Sequence, residues 1–174
     1  VELGVLAGIF ASIALHLHHT STPHIATLGR VPGTTHYRDI RRHPDARIDP
    51  DIIILRIDES LYFANAPVLK DAVEHASNEH PTVPEGIILD FIAVNDLDAT
   101  ALEVLEQIAD ELHEAGTRLL IAELSGPLRD IMEASGTLDH VGEESIFHSI
   151  EEAVHSFGFA PEVTEEGQLP IEFR

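Results

Sequence analysis

Gly86-Ile-Ile-Leu-Asp90-Phe-Ile-Ala-Val-Asn95-Asp-Leu-Asp98-Ala-Thr100-Ala-Leu-Glu103-Val-Leu105 decides how the rest of the chain is read. Ile87 to Phe91 is a short apolar run rich in branched residues, which suits a strand buried on both faces. A polar turn, Asn95 to Asp98, follows at once. Leu102, Leu105, Ile108, Ala109 and Leu112 then recur at three- and four-residue steps, the stripe of an amphipathic helix. Thr100 with Glu103 fits a capping box, in which the hydroxyl accepts the Glu103 N–H and the carboxylate reaches back. An ordinary helix cap is the plain reading of Thr100. Ligands of α/β domains gather beyond the carboxyl ends of strands, so this turn is also the candidate working edge.

The bulk properties narrow the partners. The 174 residues suffice for one domain with a sizeable core and some additional segments. The first residue is Val1 rather than Met, as expected of a fragment or processed product. Without cysteine there is no disulfide framework, thiolate zinc site or thiol nucleophile. A formal net charge of -21 and the lack of tryptophan argue against a nucleic-acid partner. Such an acid-rich surface, with Lys70 its only lysine, suits high salt or simply resists aggregation. The arginines are unevenly placed: Arg30, Arg38, Arg41, Arg42 and Arg47 cluster early, ahead of the most acidic stretches.

Outward from the central stretch, strand and helix patterns alternate. Ile52 to Ile57 and Arg118 to Leu124 read as further buried strands, and Leu61 to Ala64 as a short partner strand. Asn65 is placed to cap a helix carrying Pro67 in its first turn. Ser125-Gly126-Pro127 opens another helix, which Gly136 stops. Ile146, Phe147, Ile150, Ala153, Val154 and Phe157 line up as the face of a last helix. Ile25 to Tyr37 is extended chain broken at Pro32-Gly33. The alternation predicts an α/β layer, a mostly parallel mixed sheet covered by about four helices.

Leu3 to Leu17 is an apolar run with small residues throughout, shorter than the roughly 20 residues that span a bilayer. With only Glu2 before it and no small-residue cleavage site after it, a signal peptide is disfavoured. Arginines follow it, as they follow a membrane helix on the cytoplasmic side, so it reads as the cut end of a last transmembrane helix. His16, His18 and His19 close it as a polar collar rather than a metal site. The divisions expected are 1–20 for this helix end, 21–50 for a juxtamembrane linker and first extended segment, 51–158 for the globular domain, and 159–174 for a mobile tail.

Catalytic signatures are missing. There is no phosphate loop, dinucleotide fingerprint, nucleophile elbow or HExxH. Asp90, Asp96 and Asp98 lie close in sequence, but an acidic turn at a strand end is common. Ser125 and Gly126, at a helix start, are a candidate contact for an anion or nucleotide. Binding or regulation, without cofactor or metal, is the expectation.

Leu28-Gly-Arg-Val-Pro-Gly-Thr34, Tyr37-Arg-Asp39, IIILRIDESLYFANA (52–66) and LDFIAVNDLDATAL (89–102) together resemble the cytoplasmic end of a SulP-type anion permease. There a final membrane helix leads into a C-terminal STAS domain, similar to bacterial anti-sigma-factor antagonists. The resemblance implies a STAS fold and a regulatory domain of a sulfate, bicarbonate or dicarboxylate transporter, on the cytoplasmic face of the cell membrane and not itself an enzyme. It implies as partners the membrane part of the same chain and a cytoplasmic protein or nucleotide; separately, apolar surface around Leu3–Leu17 is expected to allow a homodimer of the fragment. The serine phosphorylated in the antagonists falls on Thr100, preceded by Asp98. Ala99 and Ala101 depart from the antagonists' usual serine and glycine. The regulatory junction is therefore expected at Asn95, Asp96, Asp98 and Thr100. A free-standing switch phosphorylated at Thr100 is the alternative.

Overall fold

The computed structural model describes residues 2–20 and 23–158, with side-chain surroundings given for all of them except 2, 3, 14 and 16–20. In chain order the elements are α1 (Glu2–Thr20), β1 (Ile25–Arg30), β2 (Tyr37–Asp39), β3 (Ile52–Ile57), α2 (Ala66–Glu79), β4 (Gly86–Asp90) and α3 (Ala99–Glu114). They continue with β5 (Arg118–Ala122), α4 (Gly126–Ser135), α5 (Thr137–Val141), β6 (Ile146–Phe147) and α6 (Ile150–His155).

The apolar runs become the middle of a six-stranded sheet with order β2-β1-β3-β4-β5-β6. β3, β4, β5 and β6 pair in parallel, while β1 runs antiparallel to both β3 and β2. A two-residue side-chain period divides each central strand between two cores. Ile53, Leu55, Ile57, Ile87, Leu89 and Ile121 pack under α2, α3 and α4. Ile52, Ile54, Ile88 and Leu120 face the other way, against Tyr37 of the hairpin and Ile150, Ala153 and Val154 of α6.

α3 follows the predicted stripe, with Leu102, Leu105, Ile108 and Leu112 buried. Each such side chain contributes about 2 kcal/mol by leaving water, against about 1 kcal/mol for a cap, so packing rather than capping holds this helix. Gly136 ends α4 at φ 86°, the left-handed conformation that glycine adopts without strain. Gly86 is required for space: a β-carbon there would lie 2.1 Å from the ring of Phe157. Phe157 in turn carries the Arg118 guanidinium 4.6 Å from its centre.

Three local expectations are corrected. Leu61 to Ala64 forms no strand; Leu61 makes a single parallel bridge to Leu97. Ile146 and Phe147 belong to β6 rather than the last helix, because they pair with Ile121 and Ala122 before Ser149 caps α6. Asn65 stands at the start of α2 without capping it; its amide holds the preceding turn, accepting from the Tyr62 N–H and donating to the Ser60 carbonyl. In α1, Val5, Leu6, Ile9, Phe10, Ile13 and Leu15 are each at least half exposed. Among the described residues no helix is long and apolar enough to cross a membrane. Residues 159–174, expected as a mobile tail, lie outside the described residues.

Candidate functional site

At the carboxyl ends of β3 and β4 two loops, 58–65 and 91–98, are zipped together. The Leu61 N–H donates to the Asp96 carbonyl at 3.1 Å and the Asp98 N–H to the Leu61 carbonyl at 3.3 Å. The Asn95 N–H reaches the Ser60 hydroxyl at 3.2 Å. Asp98 ties the pair. One carboxylate oxygen accepts the Ala101 N–H at 2.9 Å and the other accepts the Phe63 N–H at 2.8 Å.

Asp98 is thus the cap of α3, in place of the expected Thr100–Glu103 box. Its backbone is extended, φ -90° and ψ 174°, which aims the side chain at the free N–H groups of the first turn. Thr100 is already helical, in the first turn, with its side chain half-buried. Asn95 and Asp96 are exposed, and the Asp96 carboxylate accepts the neighbouring Leu97 N–H at 3.0 Å. Ser125 and Gly126, also exposed, follow β5, one strand along the same edge, and Ser125 makes no side-chain cap. No hydrogen bond joins these two residues to the 95–100 junction. The side chains of His16, His18 and His19 lie outside the described ones.

The chain also enters the sheet at this edge. Because β1 is antiparallel to β3, its first residue, Ile25, pairs with Ile57. His24 is bound twice to the next loop: its carbonyl accepts the Asp58 N–H at 3.1 Å, and its ring Nδ1 lies 2.7 Å from the Asp58 carboxylate.

Asp90, grouped with Asp96 and Asp98 in the sequence, is directed elsewhere. It is buried on the α6 side of the sheet and accepts the Arg56 Nε–H at 2.7 Å and the Ile92 N–H at 3.1 Å. The parallel register places Arg56 opposite Asp90. The sequence shows an arginine and an aspartate late in two apolar runs, but only the strand register pairs them. Nearby, Tyr37 donates to Glu151 at 2.8 Å, and Arg30 reaches the same carboxylate at 3.2 Å. Burial, then the bond to Glu151, pushes the Tyr37 phenol well above its ordinary range. Glu123 stands at φ 61°, a left-handed conformation that is costly for a side chain of its size. Burial, then the charge of Asp90, raises its carboxyl.

A mixed sheet entered by an antiparallel edge hairpin, with its helices divided between two faces, defines the class. Residues 43–153 match the STAS domain, and the chain belongs to that family. Among its curated relatives, Sulfate transporter 4.1, chloroplastic, of Arabidopsis thaliana is 36% identical over 166 residues, 88% of this chain and 24% of the relative. A probable sulfate transporter of Mycobacterium tuberculosis is 33% identical over 159 residues, 89% of this chain and 28% of the relative. The chain therefore spans about a quarter of the length of these proteins. Among solved structures, the murine Solute Carrier 26 family member A9 anion transporter superposes with a TM-score of 0.78 at 21% identity, over 87% of this chain and 25% of that one. A putative anti-sigma factor antagonist of Thermotoga maritima gives 0.53 at 20% identity, over 63% of this chain and 90% of its own. These two likenesses concern the fold.

Proposed function

We propose that this chain is the regulatory, partner-docking end of a membrane anion transporter, acting without catalysis on the cytoplasmic face. In this reading residues 1–20 are the end of the last membrane helix, 21–50 the linker, 51–158 the regulatory domain and 159–174 a tail. The membrane part carries sulfate or a related anion, as the names of the relatives suggest. Asn95, Asp96, Asp98 and Thr100 form the docking junction for a cytoplasmic protein.

The observation that carries the reading is the shared edge. The segment leaving α1 enters the sheet beside the junction, and His24–Asp58 joins it to the loop that Asp98 clamps. Occupation of the junction would then bias the position of α1, provided the partner binds the transporter's states unequally. Within the junction Asp98 holds the geometry, while Asn95 and Asp96 are exposed and Thr100 stands half-buried in the first helical turn. Phosphate on Thr100 would meet the free N–H groups of the first helical turn.

The test is made in the intact transporter. Thr100→Glu and Asn95→Ala/Asp96→Ala are expected to change anion uptake and capture of the cytoplasmic partner while leaving the fold unaltered. Unchanged uptake and capture in both variants would overturn the junction. Phosphorylation of Thr100 by a cognate kinase without any effect on uptake would favour the free-standing switch.

A further inference from the structure

Two adjoining clefts open on the sheet face away from α2–α4, of ≈ 240 and ≈ 220 Å³. Arg38 and Arg56 line both. Most cations of this region are engaged: Arg30 by Glu151, Arg42 by Asp39, and Arg56 through its Nε by Asp90. The Arg38 side chain has no hydrogen bond or ion pair among the described residues, and neither Nη of Arg56 makes a hydrogen bond there. Two guanidinium groups face one space here, beside the carboxylates of Glu123 and Glu151 in the larger cleft and of Asp39 and Asp58 in the smaller, and guanidinium N–H groups without an internal acceptor are ready donors to an oxyanion.

The larger cleft adds the hydroxyl groups of Thr35 and Ser149 and the carboxyl of Glu123. Glu151 also lines it but is already held by Tyr37 and Arg30. Among the described residues the Glu123 side chain has no hydrogen-bond partner; Asp90, Arg56, His148 and Glu152 are charged groups that act on it. A ligand for this cleft therefore needs negative oxygens for the arginines and an O–H for the Glu123 carboxylate. Sulfate near neutral pH offers the first and not the second. Hydrogen phosphate offers both. The larger cleft, at ≈ 240 Å³, lies below the roughly 300–1,000 Å³ of drug-sized ligand sites and suits a small oxyanion.

We propose that the cleft between the β1–β2 hairpin and α6 binds a protonated tetrahedral oxyanion, hydrogen phosphate free or as a monoester, through Arg38, Arg56 and Glu123. The site is separate from the docking junction and holds whether or not the transporter reading does. It would make the domain responsive to phosphate, and the carboxylate would discriminate against sulfate.

Titration calorimetry of the whole chain with inorganic phosphate, glycerol phosphate and sulfate tests it. Phosphate is expected to bind at least about tenfold more tightly than sulfate, because a site built for an O–H leaves its acceptor unpaired with the other ion. Arg38 is exposed and makes no structural bond, so Arg38→Ala should keep the thermal midpoint and lose about tenfold in phosphate affinity. Glu123→Gln, which replaces one of the two acceptor oxygens by an N–H donor and removes the charge, should bring sulfate level with phosphate. Tighter binding of glycerol phosphate than of phosphate assigns the monoester, and the reverse assigns the free ion. Sulfate equal to phosphate in the native chain, no saturable phosphate binding, or full phosphate affinity in Arg38→Ala overturns the proposal.

Discussion

The loop junction and the arginine cleft use their charges in opposite ways. At the junction the notable residues are neighbours in sequence, and their polar atoms are bonded within the fold: both oxygens of Asp98, and an oxygen of Asp96. The cleft draws its lining from positions 35 to 151, and among the described residues the side chains of Arg38 and Glu123 and the Nη groups of Arg56 make no hydrogen bond there. A cluster of polar residues in one short stretch thus reports first on the structure of that stretch. Ligand-ready charge is found where distant segments meet and leave a group unsatisfied.

Three experiments break or sharpen this contrast. The largest effect is expected at the cleft floor. Arg56→Met leaves Asp90, whose side chain is 1% exposed, without its cation, and should destabilise the domain by about 3 kcal/mol in urea unfolding. Adding Asp90→Leu should recover part of that loss, since a buried pair replaced by apolar groups is often tolerated. A full loss in the double variant would mean that packing, not the charge, is at stake.

At the junction, Asp98→Ala removes two hydrogen bonds, one of them the helix cap, and should cost about 1–3 kcal/mol. Asp96→Ala, at an exposed position, should stay within about 0.5 kcal/mol. Equal effects in the same denaturation series would erase the division between a structural aspartate and a displayed one.

The smallest effect is a pH dependence. The folded-state pKa of Glu123 is raised by burial and by Asp90. The stability it contributes is therefore fully present below the unfolded carboxylate pKa and lost as pH rises through the folded value. Glutamine is neutral throughout, so the stability of Glu123→Gln relative to the native chain should rise across that window and then level off. Parallel stability curves at every pH would show that the carboxyl titrates alike in both states.

The fold was largely legible because its signals are local and repeated. Ile52–Ile57, Ile87–Phe91 and Arg118–Leu124 announce doubly buried strands, and the Leu102–Leu112 stripe announces a helix. β6 was hidden because Ile146 stands four residues before Ile150, so a two-residue strand imitates an extra helical turn. The helix cap was ambiguous for a related reason: Asp98 and Thr100 are both capping types. What selects Asp98 is the Phe63 N–H, 35 positions away. The Arg56–Asp90 pair needed the register of two strands, and the cleft needed the hairpin folded back onto α6. Neither is a property of any window of sequence.

The chain contains two tyrosines and no tryptophan. One lies in each region compared here: Tyr37 donates to Glu151 at the edge of the cleft, and Tyr62 stands edge-on to Phe63, with centroids 6.0 Å apart, in the clamped loops. Tyrosine emission of this protein, excited beyond the absorption of its phenylalanines, therefore comes from two positions only. With Tyr37→Phe the remaining signal reports on the loops, and with Tyr62→Phe on the cleft, so each region can be followed optically without an added label.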